Sequence, residues 1–153
     1  MTEKQRDFIN TVGVLAQNEY MTREAWVLPS VCIAQAIIES GWNLKAKTLF
    51  GIKAKKGEAS NSLRTSEFYN GQYVQIVDAF KAFPSVAAAV AGYYDLITKS
   101  KRYKKAVNNP DYRDTITQIW KAGYATSPTY VAKIVTLIDT YGLTKWDISR
   151  EQK

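Results

Sequence analysis

Histidine is absent from this chain, and cysteine occurs once, at Cys32. Without an imidazole, neither a Ser-His-Asp triad nor a Cys-His pair can be assembled. One thiol and no histidine also fall short of an ordinary zinc ligand set, so no metal and no other cofactor is expected. A lone cysteine rules out an intramolecular disulfide framework, and Cys32 lies in an apolar stretch where it reads as a small core residue rather than a nucleophile. No apolar run approaches the ~18 residues that a membrane-spanning helix needs, so membrane insertion is not expected. The opening residues, MTEKQRDF, lack the apolar segment of a secretory leader, which implies another export route or a leader already removed. Internal repeats and low-complexity tracts are missing too. Whatever chemistry takes place must be run by Glu, Asp, Tyr, Lys, Ser or Thr.

What is present fits one globular domain spanning residues 1–153, long enough to bury a real core. Lys and Arg number 21 against 14 Asp and Glu, a formal charge of +7, so an anionic partner surface is implied: nucleic acid, teichoic-acid-bearing wall or anionic lipid. The basic residues are spread, however, from Lys45, Lys47, Lys53, Lys55 and Lys56 to Lys99, Lys101, Arg102, Lys104 and Lys105, and no nucleic-acid-binding motif accompanies them. No nucleic-acid partner is therefore expected, and a monomer is.

The stretch from Pro29 to Trp42 carries the most chemistry. Pro29 suits a first helical position, and Val31, Cys32, Ile33, Ala34, Ala36, Ile37 and Ile38 make the following helix, about 29–40, apolar nearly all round. Gly41 reads as its left-handed stop, which puts Glu39 in the last turn, beside carbonyls that carry partial negative charge. Burial and that dipole both disfavour the ionised form, and a carboxyl with a raised pKa is a candidate general acid. The competing reading is a solvated charge at a helix end. Gln35 lies one turn earlier on the same face, where it either bonds the acid or satisfies itself at the surface.

Around this helix the periodicity predicts scaffold. Residues 3–19 form an amphipathic helix, with Phe8, Ile9, Val12, Leu15 and Ala16 inward. Residues 43–62 read as a long irregular loop, a length that is usually functional. Leu63 to Tyr69 and Gln72 to Phe80 flank Asn70-Gly71, the signal for a two-residue hairpin turn, which pairs Tyr69 with Gln72 and Glu67 with Val74. Glu67 then shares a sheet face with Thr65, Tyr69, Val74 and Ile76, a largely apolar setting that makes it a second candidate acid or base. Helices follow from Pro84 to about Ser100, from Asn109-Pro110 to Ala122, and from Ser127-Pro128 to Gly142, with a polar, frayed tail after Trp146. The outline is α+β, mostly α, with one hairpin lobe at about 57–82. Trp42, Phe50, Tyr69, Tyr93 and Tyr130 are candidate ligand-stacking positions, although most aromatic side chains are core.

A series of ordered motifs gives a more specific reading. Ala34 to Trp42 (AQAIIESGW) with Leu49 to Lys53 (LFGIK) resembles the glucosaminidase family of peptidoglycan hydrolases, glycoside hydrolase family 73, with its AQ-x-x-x-ESGWG and NLFG-[IL]-K patterns. Asn43 replaces the glycine after the tryptophan, and Thr48 the asparagine before Leu49. Thr65 to Gly71 resembles the family's T-x-E-[YF]-x-x-G hairpin, and Phe83-Pro84-Ser85 falls where F-R-x-Y-x-S is usual. Lys101-Arg102-Tyr103 matches a basic-aromatic step, and Gly123 to Tyr130 (GYATSPTY) resembles GYATDPxY with Ser127 for the aspartate.

That resemblance implies a lysozyme-like domain and an endo-β-N-acetylglucosaminidase, which cuts the β-1,4 bond after N-acetylglucosamine in bacterial cell-wall glycan. Glu39 matches the family's acid, Glu67 its second acidic position, and Tyr124 a cleft tyrosine that holds the acetamido group or the developing charge. A hairpin on a long loop lets Glu67 reach the cleft when substrate binds. Two rival readings stay open: a lytic transglycosylase with the same lone glutamate, and a non-catalytic wall-glycan-binding module. The expected place of action is the bacterial wall, as a phage lysin or an autolysin domain.

Overall fold

A computed structural model describes residues 1–150. The centre is helix α2, Pro29–Ser40, ten of whose twelve residues are buried. Fully enclosing side chains such as Val31 and Ile33 is worth roughly 1.5–3 kcal/mol each, so this helix stays only where neighbours cover it all round. The neighbours are α1 (Glu3–Thr22), α5 (Tyr130–Tyr141) and a 3-10 turn at Leu143–Trp146. At its far end Gly41 takes φ 61°, the left-handed cap anticipated from its position, and its N–H returns to the Ile37 carbonyl.

Local signals account for most element ends. Thr2 and Gln5 exchange side-chain bonds with each other's backbone N–H, a capping box that opens α1. Ser85 caps α3 (Val86–Lys99) by accepting from the Ala88 N–H. The fourth helix, α4 (Tyr112–Lys121), starts later than Asn109-Pro110 suggests, because the Asp111 carboxylate accepts from the N–H groups of Arg113 and Asp114 and is the actual cap. Ser127 does not cap α5 either. That helix begins behind Thr129, while the Ser127 hydroxyl turns to the Thr129 N–H and the Tyr73 hydroxyl. Between α3 and α4 the basic segment winds into a 3-10 turn, Lys101–Ala106.

The hairpin comprises β1 (Ser60–Tyr69) and β2 (Gln72–Lys81) in the expected register, Tyr69 opposite Gln72 and Glu67 opposite Val74. Asn70 and Gly71 both have positive φ, 47° and 78°, as a two-residue turn matched to the strand twist requires. Its half-buried face carries Leu63, Thr65, Glu67, Ile76 and Asp78, and Phe80 on that face is buried. The preceding loop is less irregular than its composition suggests. After a 3-10 turn at Ala46–Thr48, residues 52–54 run alongside β2: Lys81 N–H donates to the Ile52 carbonyl at 2.6 Å and Ala54 N–H to the Ala79 carbonyl at 2.9 Å.

The expected frayed tail is instead fastened down through Arg150; residues 151–153 lie outside the described part. Asp147 accepts from Ser30 N–H at 2.8 Å and from Ser30 Oγ–H at 2.5 Å, supplying the start of α2 with the acceptor that Leu28, its own cap residue, lacks. Burial of this carboxyl raises its pKa to about 6. Gln17 Nε2 donates to the Trp146 carbonyl at 2.9 Å, and Tyr20 Oη to that of Ile148 at 2.8 Å. These contacts span more than a hundred residues of chain, and polarity alone could not announce them.

Gly13 records how tightly the tail packs. A Cβ there would lie 2.6 Å from the Trp146 indole. Alanine normally favours a helix over glycine by about 0.5–1 kcal/mol. Gly13→Ala is nevertheless expected to destabilise the domain by about 1–3 kcal/mol through overpacking, read as a lower urea midpoint.

Candidate active site

Glu39 is the last side chain of α2 before Ser40 and the Gly41 cap. Two features bracket its carboxyl. Tyr130, at the start of α5, donates from its hydroxyl to Oε1 at 3.4 Å. On the other side Oε2 lies 3.3 Å from where a Cβ would stand on Gly51, whose φ is 60°. Gly51 therefore meets two demands, a left-handed backbone and close approach to the acid, and a side chain suits neither.

The residue is exposed, yet its carboxyl pKa rises from 4.5 to about 7, chiefly through desolvation, with the Glu67 charge adding and the Tyr130 bond opposing. Exposure and desolvation coexist because they measure different things. Part of the residue meets solvent, whereas the volume around its carboxyl, which sets how well charge is stabilised, is mostly protein. A carboxyl that is accessible and holds its proton near neutral pH can deliver that proton to a bound molecule.

Tyr124 donates to the Phe50 carbonyl at 3.1 Å, and its ring lies 6.3 Å from that of Tyr130. This bond ties the α4–α5 connection to the backbone next to Gly51. Burial raises the Tyr124 and Tyr130 hydroxyls well above the usual phenol pKa, so both stay protonated donors.

Glu67 projects from β1 into a polar cradle. Its Oε2 accepts from Thr126 Oγ–H at 3.1 Å, and Lys53 Nζ stands 3.6 Å from Oε1 and 3.1 Å from Asp78. Thr126 Oγ also accepts from Phe68 N–H at 2.9 Å, and Tyr73 Oη meets Ser127 Oγ at 2.7 Å. The hairpin tip is thereby fastened to the α4–α5 connection. Local sequence does not mark Lys53 and Thr126 as partners of Glu67, or Asp78 as the second partner of Lys53, since Thr126 lies 59 residues from Glu67.

The aromatic candidates divide. Tyr69 is 56% exposed and free to meet a ligand. Phe50 and Tyr93 are buried and stacked on each other at 4.5 Å, so their faces are already occupied and the expectation that they stack on sugars gives way to packing. Tyr130 is buried too, and it offers the acid a hydroxyl rather than a ring face. Gln35 is fully buried, bonded to Tyr93 and Tyr130, and reaches Glu39 only through the latter. Trp42 sits edge-on to Phe8 and Tyr141, 5.6 and 5.1 Å between ring centres. This seam between α1 and α5 helps offset the roughly 1–2 kcal/mol of a non-glycine residue at φ 69°.

A shielded carboxylic acid at a helix end, with a second carboxylate on an adjoining hairpin, stands in a mostly helical, lysozyme-like fold. The glucosaminidase family model, described as mannosyl-glycoprotein endo-beta-N-acetylglucosaminidase, matches residues 16–143. The chain is 30% identical to the exo-glucosaminidase LytG of Bacillus subtilis (strain 168), over 95% of this chain and 54% of LytG. It is similar to the catalytic domain of the autolysin Auto from Listeria monocytogenes, at 30% identity and TM-score 0.74, covering 96% of this chain and 89% of that one. A peptidoglycan hydrolase mutant from Sphingomonas sp. A1 matches at 28% identity and TM-score 0.76, covering 92% and 97%. The chain belongs to the glucosaminidase family, and it spans about half the length of LytG.

Gly51→Ala tests the tight approach to the acid. Forcing a Cβ into the left-handed region is expected to cost roughly 1–2 kcal/mol in denaturant unfolding, with additional loss of any activity that depends on Glu39 placement. Gly57→Ala, equally left-handed at φ 87° but with nothing near its Cβ, is the control that carries the backbone cost alone.

Proposed function

We propose that this domain hydrolyses the β-1,4 bond after N-acetylglucosamine in peptidoglycan glycan strands, acting as a monomer at the bacterial cell wall. The observation that carries the reading is Glu39 itself, an exposed residue at the end of a buried helix whose carboxyl is nevertheless desolvated enough to raise its pKa to about 7. As the C1–O bond breaks, Glu39 gives its proton to the departing oxygen, which leaves as a hydroxyl. Glu67 positions the group that attacks C1, either water or the substrate's own acetamido oxygen. The Lys53 and Thr126 contacts hold it for that task. Tyr69 offers an exposed ring to a sugar. A formal charge of +7 favours approach to an anionic wall.

Muropeptide analysis after borohydride reduction is the direct test. Treated wall should yield N-acetylglucosamine at new reducing ends; anhydro-sugar ends would mark a transglycosylase, and N-acetylmuramic acid ends would move the cut to the other linkage. Glu39→Gln should lower turnover by at least about 100-fold, the lower end of what a positioned acid contributes. Unchanged release of fragments by that variant would remove Glu39 from the mechanism.

Acidity and stability follow from the same shift. The working form is protonated, so kcat is expected to fall as pH rises through about 7. Because the folded pKa lies above the unfolded value of 4.5, stability contributed by Glu39 is present below pH 4.5 and lost as pH rises through about 7. Glu39→Gln, which mimics the protonated form, should therefore melt no lower than the parent at pH 8, with the difference vanishing toward pH 4. A lower melting temperature at pH 8 would contradict the shift.

A further inference from the structure

Behind Glu39 the core encloses a row of polar groups. Tyr93 and Gln35 are fully buried and Tyr130 nearly so. Tyr93 Oη–H donates to Gln35 Oε1, Gln35 Nε2–H donates to Tyr130 Oη at 3.0 Å, and Tyr130 Oη–H donates to Glu39 Oε1 at 3.4 Å.

The direction of this chain follows from its inner end. A buried phenol needs an acceptor, and among the described residues Gln35 Oε1 is the one that Tyr93 has. Turning the Gln35 amide over would set Nε2 against the Tyr93 hydroxyl and orphan a buried donor. Tyr93 thus holds the amide with Nε2 toward Tyr130. That N–H takes up a lone pair of the Tyr130 oxygen, and the Tyr130 proton is left for Glu39. We propose that Tyr93 is a positioning residue for the acid: it commits Tyr130 to donating to Oε1, so that the proton Glu39 delivers resides on Oε2, the oxygen beside Gly51. The catalytic meaning rests on the proposed hydrolysis; the direction of the chain does not.

The titratable groups facing Glu39 are Tyr130 from α5, Tyr124 from the α4–α5 connection and Glu67 from β1, the last paired with Lys53. Tyr93→Phe replaces none of them and keeps the ring that stacks on Phe50 and meets Tyr124 edge-on. With Tyr93 silenced, the amide is free to turn, Tyr130 donates to Oε1 only part of the time, and the ionised form of Glu39 loses support.

The test is a carboxyl 13C titration of Glu39 in the whole chain, its resonance assigned by loss in Glu39→Gln, for the parent, Tyr93→Phe, Gln35→Met and Tyr130→Phe. The expected result is a midpoint raised by about half a pH unit or more in Tyr93→Phe, a threefold or larger fall in acid dissociation constant, with Tyr130→Phe raised at least as far. Gln35→Met, which keeps the length but removes the competing acceptor, leaves Tyr130 with Glu39 as its partner and should hold the midpoint near the parent's; a rise there as large as in Tyr130→Phe also overturns the proposal, which keeps it testable if Tyr93→Phe fails to fold. A midpoint in Tyr93→Phe that coincides with the parent, or falls, overturns the proposal. The descending limb of kcat against pH should move with the midpoint. Failure of the parent to release wall fragments would sink the proposed hydrolysis alone, since the titration reads the chain without turnover.

Discussion

In the proposed role of general acid, Glu39 faces two demands that oppose each other. To hold a proton near neutral pH its carboxyl must lose much of its hydration, and to hand that proton over it must stay reachable. Placement at the last turn of α2 answers both, because the helix is buried along its length and surfaces only at Ile38 and Glu39. The rest of the domain serves this placement. α1, α5 and the terminal 3-10 turn cover α2, and Asp147 supplies the acceptor its first turn needs. The Gly41 cap then ends the helix just past the acid, before Trp42 turns into the seam between Phe8 and Tyr141.

The surroundings of the acid are made by backbone as much as by side chains. Gly51 approaches as a bare Cα, and the Tyr124 hydroxyl holds the neighbouring Phe50 carbonyl, so the wall beside Oε2 is a fixed piece of main chain. Opposing influences then set the acid's character. Desolvation and the charge of Glu67 push the pKa up while the Tyr130 hydroxyl pulls it down, and the outcome near 7 is a balance. A carboxyl governed by desolvation alone would hold its proton more firmly and release it less readily to a leaving oxygen.

Much of this was legible in the chain. An apolar run ended by Glu-Ser-Gly shows a buried helix with a carboxylate at its exit, because glycine after the last periodic residue is a local stop. Asn70-Gly71 between β-prone runs predicted the hairpin and its register, and with it the half-buried face that carries Glu67. Where the fold departs from local signals the cause is shared. Ser127-Pro128 and Asn109-Pro110 look like helix starts by composition, but Asp111 is the better acceptor for one helix and Ser127 is drawn off by Tyr73 at the other. Polar composition after Trp146 suggested fraying, whereas Asp147 and Arg150 find partners on α2 and α1 that only folding brings near.

By itself the sequence determined the helix, its terminal acid, the hairpin turn and the exclusion of imidazole and disulfide chemistry, since each depends on residue type or on spacing within a few turns of chain. The tertiary structure alone decided which aromatic side chains are walls and which are core, that Gln35 answers to Tyr93 and Tyr130, and that Glu67 lies between Lys53 and Thr126. Those pairings join residues from 14 to 95 positions apart. Propensity and periodicity carry no information over such distances, because they describe how a segment folds on itself and not which segment it will meet.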